Sequence, residues 1–137
     1  MNKEYAEGNY LGIDWGRHDV GIALAHAETR IAVSLQTECN DAGLIERIGQ
    51  VIENEAIHTV VIGVPSYASR KGVRHPSEEL GRLLIDRYGV TIVYQDEMFT
   101  TKLAQQSLIQ RGERHVGEKD DAEAAKIILQ QWLDKKL

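Results

Sequence analysis

Residues 59–64 (TVVIGV) form an uncharged, largely apolar run that stops at Pro65. Successive side chains on a strand point to opposite faces. A strand that is apolar on both faces needs cover above and below, which is the condition of a central strand in a parallel sheet. Parallel neighbours must be joined by crossovers long enough to hold a helix. This one segment therefore directs the chain toward an α/β architecture.

The rest of the sequence supplies matching pieces. Residues 10–14 (YLGID) and 20–25 (VGIALA) read as strands, and the short connection between them predicts an antiparallel hairpin. Residues 31–35 predict a third strand, 59–64 the fourth and 91–94 (TIVY) a fifth. Leu44, Ile45, Ile48, Val51 and Ile52 recur at helical spacing, so a helix is expected over 42–56, with Asp41 as its N-cap. A second helix is expected over 77–88, stopped by Gly89. Thr100 or Thr101 can cap a third that runs to 111. Asp120 or Asp121 can cap a last one over 121–133. The order β-β-β-α-β-α-β-α-α implies a mixed sheet with helices on its faces.

Length and charge narrow the class. A chain of 137 residues holds one core and is short for two, so residues 10–137 are expected to form a single domain behind a flexible tail over 1–9. Cys39 is the lone cysteine, the N-terminus is polar, and no apolar run approaches the roughly 20 residues of a membrane span. These features fit a reduced cytoplasm. The net charge of −5 argues against tight, unspecific nucleic-acid binding. It does not exclude a nuclease, whose site must itself be acidic to hold metal.

Three carboxylates fall at element boundaries. Asp14 closes the first strand, Glu97 follows the fifth, and Asp121 opens the last helix. Boundary positions lie at the sheet edge, where open α/β folds bind ligands. Each residue also has a plainer reading: Asp14 as a turn residue beside glycine, Glu97 as a solvated loop residue, Asp121 as an N-cap. Together they form a hard-oxygen set suited to one or two Mg²⁺ or Mn²⁺ ions. Two such ions about 4 Å apart can activate water and stabilise the leaving oxygen in phosphodiester cleavage. If the fifth strand lies two strands from the first, roughly 10 Å separates their backbones, and the Glu97 side chain must bridge it.

Four segments carry a resemblance over 10–133: 12–16 (GIDWG) followed by 20–23 (VGIA), 61–65 (VIGVP), 96–101 (DEMFTT), and 121–125 (DAEAA) leading into 127–130 (IILQ). In this order and spacing they are similar to the YqgF family of Holliday junction resolvases, also described as pre-16S rRNA nucleases. The resemblance implies an RNase H-like α/β fold, with a five-stranded mixed sheet in order 3-2-1-4-5 and helices on both faces. It implies a cytoplasmic, metal-dependent nuclease with Asp14, Glu97 and Asp121 as catalytic and metal-binding residues. Pre-rRNA, branched DNA and ribosomal precursor particles are the implied partners, with no membrane, and either a monomer or a homodimer. Two positions depart from the pattern: Asp19 and Met98 stand where the family has a basic residue. Arginine suits bidentate phosphate contact, so both changes remove grip on substrate.

Two basic loops are candidate phosphate contacts: Arg70, Lys71, Arg74 and His75 after Pro65, and Arg111, Arg114, His115 and Lys119 before Asp121. Solvated surface charge is the plainer reading of both. Tyr67 is a candidate for base stacking, and Trp15 is expected beside the site. The five histidines show no metal-ligand spacing. No P-loop or nucleophile elbow is present. Two other functions compete: a non-catalytic nucleic-acid or ribosome-assembly module on the same fold, favoured by Asp19 and Met98, and half of an actin-like ATP site, suggested by Asp14-Trp15-Gly16 between two strands.

Overall fold

The structure, a computed structural model, describes residues 8–64, 75–96 and 121–135. Five strands form one sheet: β1 (Asn9–Asp14), β2 (Asp19–Ala25), β3 (Ala32–Cys39), β4 (Ile57–Val64) and β5 (Thr91–Asp96). Their order is β3-β2-β1-β4-β5. The β1–β2 and β2–β3 pairs are antiparallel, and β4 runs parallel to both β1 and β5. The fully apolar segment is thus a parallel strand with neighbours on both sides, as its composition requires.

Two helices cover one face. In α1 (Leu44–Asn54), Leu44, Ile48 and Ile52 are buried, and in α2 (Pro76–Tyr88), Leu80 and Leu84 are. They pack on Leu11, Ile13, Val20, Ile22, Leu24, Val60 and Ile62, the set that alternates to that side of β1, β2 and β4. The Arg87–Glu46 ion pair at 3.0 Å and a Tyr88 hydroxyl that donates to the Ile45 carbonyl at 3.4 Å tie α2 to α1. His75 caps α2 by accepting from the Ser77 N–H at 3.2 Å, and Gly89, in the left-handed region at φ 68°, closes it. Asp41 is not the N-cap of α1; Gly43 is. Asp41 still holds the entry, accepting from the Gly43 N–H at 3.1 Å.

One long helix, α3 (Asp121–Lys135), covers the other face. Its run of alanines favours helix and keeps its underside thin. The sheet is thin there too. A Cβ on Gly12 would stand 2.7 Å from the Leu129 Cβ, and one on Gly21 only 1.9 Å from the Asp121 carbonyl oxygen. The two glycines, with Ala23 and Ala25, let the helix lie almost on the strand backbones. The contacts order Asp121 over Gly21, Leu129 over Gly12 and Trp132 beside Tyr10 (ring centroids 5.7 Å apart), so α3 runs antiparallel to β1. At its far end, Arg30 donates to the Leu133 carbonyl and to the Tyr10 hydroxyl, both at 3.2 Å. A cation there also complements the negative end of the helix.

Strand β3 is an edge, and its opening turn is covered by a side chain. Gln130 accepts from the Ala32 N–H at 2.8 Å and donates to the Arg30 carbonyl at 3.2 Å, standing in for a neighbouring strand. β3 runs on to Cys39, four residues past the expected 35, because it pairs with the whole of β2 through a bulge between Ile22 and Ala23. β1 begins at Asn9, whose side chain accepts from the Ala27 N–H and donates to the Glu55 carbonyl. The helix expected to end at 111 lies outside the described residues. Among the described residues, no helix is long and apolar enough to cross a membrane.

Gly21→Ala should lower the free energy of unfolding by about 1–3 kcal/mol or more, the usual cost of overpacking, because only backbone atoms face the new methyl. Urea unfolding checks this. Ile31→Thr, at an exposed position before β3, should stay within about 0.5 kcal/mol of the parent.

Candidate active site

Parallel pairing puts the carboxyl ends of β1, β4 and β5 at one edge of the sheet, at Asp14, Val64 and Asp96. The ladder aligns Gly21, Asp14, Gly63 and Gln95 in one row across β2, β1, β4 and β5. This row lies on the α3 face. Gly12, two residues before Asp14, packs under α3, and Val61 and Val93 hold the equivalent places before Gly63 and Gln95. Asp14 therefore has a glycine beside it in each adjoining strand.

Asp121 reaches the same corner from above. Its carbonyl rests on Gly21, which is Asp14's partner in the β1–β2 ladder. Residues 107 positions apart in the chain thus meet at one glycine. Both are half-buried. Asp121 is also the first residue of α3, where the helix dipole favours negative charge.

The other expected members fall differently. Glu97, Tyr67, Arg70, Lys71, Arg74, Arg111, Arg114, His115 and Lys119 lie outside the described residues, as does Met98. Among the described residues, no group of three or more His, Cys, Asp or Glu is arranged to hold a metal ion. Asp96 pairs with Val64 and faces the α1–α2 side, whereas Gln95 faces α3 and is buried. Glu97 follows Gln95 by two positions in sequence. Trp15 does not share the Asp14 face. It packs against the α1–α2 core with its ring 5.3 Å from that of His75, edge to face.

A third described carboxylate nearby is committed elsewhere. Glu123 is buried on α3, where it accepts from the Ser34 hydroxyl at 3.3 Å and pairs with Lys126 at 2.9 Å. It anchors α3 to β3. Gly21 and Gly63 stand inside strands predicted from the sequence, but the sequence does not show which face of the sheet they share or what covers it. Glycine inside an apolar strand signals a close approach. What approaches it is decided by register and helix docking.

Charges on β3, α1 and the segment between them are paired with one another. Arg47 on α1 bonds Glu38 at 2.5 Å, Asp41 at 2.8 Å and the Cys39 carbonyl at 2.9 Å. The Arg47 hydrogen bond holds the Asp41 carboxyl below its usual range. Arg87 does the same for Glu46. Asn40 clamps the turn: its side chain donates to the Gly16 carbonyl at 2.7 Å and its N–H to the His18 carbonyl at 2.9 Å.

Residues 8–135 match the RuvX family, described as a Holliday junction resolvase. A protein of Oenococcus oeni named "Putative pre-16S rRNA nuclease" is 32% identical over 135 residues, covering 92% of this chain and 94% of that one. A protein of the same name from Lactococcus lactis is 32% identical over 133 residues, with 90% and 92% covered. Among solved structures, Fowlpox virus resolvase in complex with Holliday junction DNA superposes with a TM-score of 0.62 at 10% identity, over 94% of this chain and 99% of that one. T. thermophilus RuvC with a Holliday junction substrate gives 0.56 at 17% identity, over 94% and 95%. The fold is thus the RNase H-like fold of the resolvases, with the expected strand order.

The Arg47 cluster has a pH signature. Asp41's folded pKa is lowered, so its contribution to stability is complete above the unfolded value near 3.8 and is lost as pH falls through the lowered one. Arg47→Met should therefore destabilise by a constant amount between pH 6 and 8, and the gap to the parent should narrow on acidification below about pH 4, leaving the part owed to the Cys39 carbonyl bond. Thermal midpoints across pH measure this.

Proposed function

Because the chain belongs to the RuvX family of Holliday junction resolvases, we propose that it is a metal-dependent nuclease acting on structured nucleic acid in the cytoplasm, with the 5′-extended precursor of 16S rRNA as its leading substrate. The observation that carries this reading is the meeting of Asp14 and Asp121 across Gly21 at the carboxyl edge of the sheet. We assign Asp14, Asp121 and Glu97 as catalytic and metal-binding residues. The fit is one of donor chemistry: carboxylate oxygens suit Mg²⁺ or Mn²⁺.

Each residue has a distinct task in this reading. Asp14 ends a strand paired on both sides, opposite Gly21 and Gly63, so its backbone position is fixed by two ladders. Asp121 rides on α3, and its position follows the docking of that helix. Glu97, two residues past Gln95, supplies the third carboxylate from beyond β5. A bound divalent cation would neutralise the carboxylates and lower the pKa of an attacking water. Arg70, Lys71 and Arg74 on one side, and Arg111, Arg114 and Lys119 on the other, are assigned to the phosphate backbone. Such contacts orient the substrate strand without reading its sequence. Branched DNA is the second substrate class that the same site chemistry accommodates.

The test uses a 5′-extended 16S rRNA precursor and a four-way DNA junction, each with Mg²⁺, Mn²⁺ or EDTA. Cleavage is expected with either metal and none with EDTA. Asp14→Asn should lose more than the roughly 100-fold that follows loss of an outer-shell metal partner. Binding without cleavage of either substrate would replace this reading with that of a non-catalytic module, and Asp19→Arg and Met98→Arg would then be the first reversions to make.

A further inference from the structure

The described arginines are almost all engaged. Arg30 bonds the Tyr10 hydroxyl and the Leu133 carbonyl at the far end of α3. Arg47 holds Glu38 and Asp41, Arg82 pairs with Glu79 at 3.7 Å, and Arg87 pairs with Glu46. Arg17 differs. It is exposed and, among the described residues, is the one arginine with neither an ion pair nor a hydrogen bond. Asp19, two residues on, is exposed as well and does not pair with it.

Its location gives this isolation a meaning. Arg17 lies in the β1–β2 turn, three residues past Asp14, at the carboxyl edge of β1. The flanking carbonyls of Gly16 and His18 are both held by Asn40, and Asp19 pairs with Cys39 on β3. The backbone that carries Arg17 is therefore fixed on both sides, so ordering it against a ligand costs little beyond its own side-chain entropy. A guanidinium on a fixed turn presents a planar fork suited to two oxygens of one phosphate. In a chain of net charge −5, an arginine kept off the abundant carboxylates remains available to a ligand.

We propose that Arg17 is a substrate-contact residue that grips a backbone phosphate adjoining the bond positioned at Asp14 and Asp121. This rests on the nuclease reading and deepens it. The contact is with phosphate, so it serves RNA and DNA alike and sets affinity and placement of the strand rather than sequence preference.

Counterion release supplies the test. Each phosphate contact contributes about 0.9 to the slope of log K against log salt for duplex DNA and about 0.7 for a single strand. Binding of a labelled 5′-extended rRNA fragment and of a four-way DNA junction is read by fluorescence anisotropy in EDTA over a salt series. The variants are Arg17→Ala, Arg17→Lys and Lys135→Ala. The last removes an equal charge from the opposite end of α3. Arg17→Ala should flatten the slope by about 0.7–0.9 while Lys135→Ala leaves it unchanged. Arg17→Lys should restore most of the slope. In Mg²⁺, Arg17→Ala should raise KM with kcat nearly constant. A wild-type slope in Arg17→Ala, or an equal flattening in Lys135→Ala, overturns the proposal while the nuclease reading stands. A wild-type protein that neither binds nor cleaves either substrate overturns both.

Discussion

Helix α3 can lie where it does only because two strand positions have no side chain. Gly12 and Gly21 remove the Cβ atoms that would otherwise collide with Leu129 and with the Asp121 backbone. The close approach fixes the depth of the helix over the sheet and the height of its first residue over the β1–β2 ladder. Arg30, Tyr10 and Trp132 hold the opposite end, and Gln130 closes the start of the edge strand beneath it. Ser34 and Glu123 add a lateral anchor near the first turn. A helix restrained at both ends and from the side has little freedom to carry Asp121 away from Asp14.

The opposite face contributes rigidity of another kind. There α1 and α2 rest on bulky side chains, chiefly Leu, Ile and Val, and the Arg87–Glu46 ion pair reinforces their mutual contact. Helix α1 and the segment leading into it also hold the region of the β1–β2 turn. Arg47 draws Glu38, Asp41 and the Cys39 carbonyl together, and Asn40 fastens the turn beside them. These bonds absorb cations into the scaffold. The positive charge left near the carboxylates among the described residues is correspondingly small, and Arg17 stands out against it.

Asp14 joins the two halves of this design. It is the last residue of a strand paired on both sides, one antiparallel and one parallel, so its backbone position is set by two ladders. The glycines beside it keep the adjoining strands from crowding its carboxylate. A buried glutamine, Gln95, completes the row on β5, two ladders away. Strand β5 thus lies two ladders from β1, about 10 Å at the usual strand spacing, and a third carboxylate from beyond β5 would have to reach across that gap.

Much of this was legible in residue order. Apolar runs such as 59–64 announce a strand covered on both faces, and the spacing of Leu44, Ile48 and Ile52 announces a helix, because burial imposes periods of 2 and 3.6 on any chain that meets water on one side. The motifs around Asp14 and Asp121 placed both residues at element ends. Residue order could not say that Asp121 would sit on Gly21, that Trp15 would turn away from Asp14, or that Glu123 would be spent on Ser34 and Lys126. Nor could it say that Asp41 would stand outside its helix, or that Arg17 alone among the described arginines would lack a partner. Those outcomes depend on register, helix docking and the pairing of charges remote in sequence. Periodicity is a local property that each segment carries with it, whereas neighbourhood exists only once separate segments share a core.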